Sequence, residues 1–248
     1  MRQVGTGSWF LESGEYAAWK TDPASFLWLH GIPGCGKTIL SSIILENVLQ
    51  YCADDPGKVV AYFYFDFNET EKRSPESMVR SLICGLSQQC VKLPTSLEHL
   101  FSSCENGQRQ PPLDSLLEVL RHTIQVFPQS YILLDALDEC TDRAELTAIL
   151  ERMAGWKLDE SHLLVTSRKE HDIQMSLESI IDTQNAICLE SKLVDRDILT
   201  YVRQTLSTDK SLSKWQKDPV IREEIESALI KGAHGMYAYT PISFEVLY

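Results

Sequence analysis

Gly31, Gly36, Lys37 and Thr38 satisfy the spacing of a glycine, four free positions, then Gly-Lys-Ser/Thr. Each residue type suits a chain of phosphates. Glycines at 31, 34 and 36 let the backbone turn tightly with its N–H groups facing inward and no Cβ in the way. Lys37 carries a long ammonium able to reach β- and γ-phosphates, and Thr38 carries a hydroxyl able to ligate Mg²⁺. The phosphate-binding set is therefore Gly31, Ile32, Pro33, Gly34, Cys35, Gly36, Lys37, Thr38 and Ile39. Cys35 occupies a free position and reads as a small tolerated residue rather than a redox centre.

A second chemical segment is Tyr131-Ile-Leu-Leu-Asp-Ala-Leu-Asp-Glu139. Its apolar run leads straight into Asp135, as expected of a strand whose C-terminal end delivers an acid to a Mg²⁺ site shared with Thr38. Asp138 and Glu139 follow after one turn, where a carboxylate could orient or deprotonate an attacking water. The plainer alternative is a solvated acidic turn that caps the helix starting near Arg143. A third segment, Leu163-Leu-Val-Thr-Ser-Arg168, ends a strand in hydroxyl residues and an arginine. Arg168 at that edge could sense a γ-phosphate, because open α/β sheets bind ligands beyond the carboxyl ends of their strands.

These residues need elements to hold them. Phe26 to Leu29 is an apolar run bounded by Pro23 and Gly31 and reads as a buried strand. Ile39, Leu40, Ile43, Ile44 and Val48 recur at helical spacing, so a helix follows the loop with its positive N-terminus toward the phosphates. Val59 to Phe65 is a continuous β-branched and aromatic run, the signature of a strand covered on both faces. Asp66 at its end could face a ligand crevice, though a solvated strand terminus is the plainer reading. Ser74-Pro75-Glu76 opens a helix continued by Met78, Val79, Leu82, Ile83 and Leu86. Glu105 to Pro112 reads as a loop, Leu113 to Val126 and Ala144 to Met153 as helices, and Ala186 to Leu189 as a last strand. From Val194 onward the spacing turns helical. The expectation is an α/β fold: a P-loop NTPase parallel sheet flanked by helices, then a short helical segment. The expected divisions are a lead-in over 1–22, the core over 23–190 and an incomplete helical segment over 191–248.

The formal net charge of −12 over 248 residues argues against a nucleic-acid or anionic-membrane binder, since both need Lys and Arg clusters. No signal peptide or membrane-spanning run is apparent, so a cytoplasmic chain is expected. Seven cysteines without a C-x-x-C pair fit reduced thiols.

Taken together, Phe26 to Thr38, Tyr62 to Phe67, Leu133 to Glu139 and Val165 to Arg168 resemble the NACHT domain, the nucleotide switch of the STAND class of P-loop ATPases. The variety is that of fungal NOD-like receptors and heterokaryon-incompatibility proteins, whose lead-in Gly5-Thr-Gly-Ser-Trp9 also resembles. The resemblance implies an ATP/ADP switch, with GTP also accepted by some members, and slow Mg²⁺-dependent hydrolysis. It implies that Asp135 orders the metal, that Asp138 and Glu139 serve hydrolysis and that Arg168 is the sensor. It also implies self-association through the NTPase domain and a place in innate-immune signalling. The effector and repeat domains of such proteins are absent from these 248 residues, and the stretch after Tyr237 departs from the family pattern, as a truncated product would.

Two other classes fit the same residues. One is an ordinary P-loop phosphotransferase or GTPase, although the guanine-reading Asn-Lys-x-Asp pattern is missing. The other is a truncated nucleotide-binding module without catalysis.

Overall fold

The computed structural model describes residues 6–189, together with 197, 199, 203, 223 and 225–227. The helical segment expected over 191–248 otherwise lies outside the described residues. Five parallel strands form the sheet: β1 (Phe26–His30), β2 (Lys58–Tyr64), β3 (Gln129–Asp135), β4 (Ser161–Ser167) and β5 (Ala186–Cys188). Their order is β2-β3-β4-β1-β5, so β4 lies between the strand that leads into the phosphate loop and the strand that ends in Asp135. The register places His30 beside Ser167 and Tyr64 beside Asp135, which brings the carboxyl ends together along one edge.

Parallel strands covered on both faces need apolar residues at every position, and these have them. Phe26, Trp28, Phe63, Ile132, Leu134 and Val165 face one layer, made by α4 (Pro75–Ser87), α6 (Leu113–Ile124), α7 (Arg143–Gly155) and α8 (His171–Ile180). Leu27, Leu29, Val60, Tyr131, Leu133 and Leu164 face the other, where α3 (Lys37–Cys52) packs with α1 (Ser8–Leu11) and α2 (Gly14–Thr21). The helices start where local chemistry allows. Ser74 accepts the Ser77 N–H at 3.1 Å ahead of α4, and Asp142 accepts the Glu145 N–H at 2.9 Å ahead of α7. Capping thus falls to Asp142 and not to Asp138 or Glu139.

Four α-helices go beyond the sequence expectation: α1 and α2 within the lead-in, α5 (Thr95–Ser103), none of whose residues is buried, and α8, which buries only Ile173 and Leu177. Short helices with so few buried positions leave a weak periodic signal.

The open edge of β2 is covered by one side chain. The Gln89 amide accepts from Val60 N–H at 3.2 Å and donates to Val60 C=O at 2.8 Å, as a neighbouring strand would.

Candidate functional site

The turn from β1 to α3 carries the phosphate-loop residues. Gly34 and Gly36 adopt φ of 73° and 90°, a left-handed conformation that an L side chain would strain. Gly31 is needed for a different reason: a Cβ there would stand 2.8 Å from Cys35 Sγ. Cys35 is buried beneath the loop, and burial raises its thiol pKa against the opposing pull of Lys37. Among the described residues, no acceptor meets the N–H groups of Gly36, Thr38 or Ile39. These are the free donors of a helix start, and with the helix dipole they make an anion-binding concavity. Lys37 Nζ donates to the carbonyls of Gly31 and Ile32, both at 2.9 Å, so the ammonium already lies over its own loop. Ile32 and Pro33 are exposed at its crest.

Asp135 ends β3 and is buried, 2 % exposed. Thr166 on β4 donates to Asp135 Oδ1 at 2.7 Å, and the same hydroxyl accepts the Ala136 N–H at 3.0 Å. Burial raises the Asp135 pKa, while the Thr166, Thr38 and Ser41 hydroxyls and the Lys37 ammonium pull it down. Thr38 and Asp135 therefore lie within each other's influence, as a shared cation site requires. Ser41, fully buried in the first turns of α3, forms no hydrogen bond of good geometry.

The chain turns at Ala136, whose φ of 58° and ψ of 51° place a non-glycine residue in the left-handed region. Leu137 is buried, and the two acids that follow diverge. Asp138 turns to β4: Oδ1 accepts the Arg168 main-chain N–H at 2.8 Å, and Oδ2 pairs with Arg168 Nε at 3.0 Å. Glu139 turns to the segment after β2, where Oε2 accepts the Phe67 N–H at 3.2 Å. Desolvation raises the Glu139 pKa, and the Asp138 and Asp66 carboxylates raise it further.

All the residues that sequence singles out thus gather at one edge of the sheet. Three contributors carry little sequence signal. The Thr166 hydroxyl is legible only as part of a polar strand end. Phe67 acts through its backbone, which any residue supplies. Asp66 accepts both the Asn68 N–H and its amide, and it also acts on Glu139 through charge. The larger cavities lie elsewhere: about 550 Å³ between α4, α5 and α6, and about 680 Å³ beside Trp19 and Asp182.

A parallel sheet of this order, with a glycine loop opening a helix after β1 and a buried acid ending β3, defines a P-loop NTPase fold and a nucleotide-binding module. Residues 5–168 match the family described as "Nephrocystin 3, N-terminal", and the chain belongs to that family. It is also 22 % identical over 249 aligned positions to the vegetative incompatibility protein HET-E-1 of Podospora anserina, an alignment that covers 96 % of this chain and 18 % of that protein. The chain therefore spans less than a fifth of that relative's length. Both likenesses are those of a NACHT-like P-loop domain. Among solved structures, Drosophila ORC bound to DNA superimposes with a TM-score of 0.53 at 15 % identity, covering 99 % of this chain and 64 % of that one. The fold is what the two share. Among the described residues, no helix is long and apolar enough to cross a membrane.

Proposed function

We propose that this chain is an ATP/ADP-dependent molecular switch with slow Mg²⁺-dependent hydrolysis, acting in the cytoplasm as part of a NOD-like signalling protein. The observation that carries this is the position of β4. It lies between β1 and β3, so Arg168 stands at the same edge as Lys37 and Asp135. The loop N–H groups and Lys37 bind the phosphates, for which Lys37 must leave the carbonyls of Gly31 and Ile32. Thr38 and Asp135 would hold Mg²⁺, which would supply charge neutralisation at the phosphates. Glu139, held by Phe67 and with a raised pKa, accepts a proton from water. The residues present fit these groups: the concavity has free donors, and the acid beside Thr38 is buried with its pKa raised by desolvation.

A switch also needs contacts made in one arrangement and lost in another. One candidate joins the two ends of the described chain. Asp197 accepts the Gly7 N–H at 3.2 and 3.1 Å and the Trp9 indole N–H at 3.1 Å, close to Gly36 and Ile39. With a net charge of −12, the chain offers little to a nucleic acid, whatever ORC binds.

The test is to denature purified protein and identify the nucleotide released, with Lys37→Ala alongside. Stoichiometric ADP in wild type and none in the variant is the expected result. Wild type and Lys37→Ala binding added ADP equally well would refute the site.

A further inference from the structure

On the nucleotide reading above, we infer that Asp138 is a positioning residue that aims Arg168, leaving Glu139 alone to handle the hydrolytic proton. Asp138 and Glu139 are neighbours in sequence with equal charge, yet the left-handed turn at Ala136 and the burial of Leu137 send them to different strands. Both oxygens of the Asp138 carboxylate face one residue: Oδ1 accepts the main-chain N–H of Arg168 at 2.8 Å, and Oδ2 forms an ion pair with its Nε at 3.0 Å. The exposures separate the two partners. The Asp138 side chain is 7 % exposed and that of Arg168 is 46 % exposed, so the carboxylate lies inside and the far end of the guanidinium outside.

An arginine has five N–H donors in a rigid plane. In this strap the ion pair is made at Nε. Among the described residues, no side chain accepts from the four terminal N–H groups of Arg168. A planar group gripped at Nε and again at its own backbone cannot swing freely, and its terminal edge is held in one direction. A carboxylate so buried and facing a cation is poorly placed to take a proton from water. Glu139 keeps an oxygen free of the Phe67 bond, and its pKa already lies above the ordinary value.

The test uses the 248-residue chain with Mg²⁺ and two probes, ADP and ATPγS. The proteins are wild type, Asp138→Asn, Arg168→Ala, the double variant and Glu139→Gln, with phosphate release followed against pH. Asn at 138 is isosteric but turns an NH₂ toward the Nε–H, donor against donor. The expected result is that Asp138→Asn weakens ATPγS about 10-fold while ADP binding stays at the wild-type level. Arg168→Ala does the same, and the double variant adds nothing. The pH-dependent limb of hydrolysis persists in Asp138→Asn and vanishes in Glu139→Gln. Loss of that limb in Asp138→Asn with an unchanged ATPγS-to-ADP ratio would overturn the assignment, as would additive losses in the double variant. A nucleotide-free measurement separates the strap from the nucleotide reading. An Arg168 Nε resonance whose chemical shift moves in Asp138→Asn supports the strap even if neither probe binds. A shift unchanged by the substitution refutes it.

Discussion

The two ends of β4 are finished in opposite ways. At its start several polar groups are matched by protein, although Ser130 Oγ and His162 Nε2 are buried without a partner among the described residues. Trp19 Nε1 donates to Leu163 C=O at 3.0 Å, Tyr131 donates its hydroxyl to Lys20 C=O at 3.1 Å, and His162 Nδ1 meets Ser25 Oγ at 2.8 Å. Aromatic rings close the space, with Trp19 stacked on Tyr16 and His162 on Tyr131. At its finish the same strand meets a buried carboxylate with a raised pKa, an alanine in a left-handed conformation and an arginine whose terminal donors have no partner among the described residues. One end is closed by packed aromatic rings and contributes stability. The other holds a strained turn and unused donors that a bound ligand can engage. Ligand affinity and fold stability should therefore respond separately to substitutions at the two ends.

Trp19→Ala should give the largest effect. Removing a ring that is 2 % exposed should cost about 3–5 kcal/mol of stability in denaturant unfolding. The ADP affinity of the molecules that remain folded should not change, and a parallel loss of affinity would erase the distinction between the ends. Thr166→Val is next. It removes a donor from Asp135 and an acceptor from Ala136, at a cost of about 1–3 kcal/mol, and it should also weaken Mg²⁺-dependent binding. A purely structural role for Thr166 would lower stability alone. Asp135→Asn removes a buried charge. Nucleotide-free protein should melt higher while Mg²⁺-dependent nucleotide affinity falls about 10-fold, more than metal-free affinity does. Equal losses with and without metal would take Asp135 out of the cation site.

The smallest effect is in pH, and its sign differs between the ends. Burial holds the His162 pKa below its ordinary 6.5, so the unfolded chain takes up a proton before the folded one does. The His162 contribution is full above 6.5 and is lost as pH falls below it toward the folded-state pKa. Asp135 runs the other way. Its pKa is held above 3.8, so its charge opposes folding above its folded-state pKa, and stability is regained as pH falls from there toward 3.8. Urea midpoints from pH 7 downward should drop first, and His162→Gln should flatten that drop. A slope unchanged by His162→Gln would place the titrating group elsewhere.

The phosphate loop is legible in sequence because its chemistry lies within nine consecutive residues whose spacing is itself the geometry. Asp135 is legible for a similar reason, an apolar run stopping at an acid. The Asp138–Arg168 strap is not, because it joins residues 30 apart and depends on strand order, which no local pattern records. Asp66 reads as an ordinary strand end until the fold brings it into the field of Glu139. The helices α5 and α8 escape notice because so little of either is buried.

Gln89 bears on how copies of this domain can meet. An unpaired parallel strand such as β2 is a template for another chain, and joining sheets edge to edge is a ready route to fibres. With both hydrogen-bonding groups of Val60 occupied by an amide from the same molecule, an incoming strand must first evict Gln89. Growth of the sheet across β2 is thereby discouraged, which favours assembly through side-chain surfaces that can be reversed.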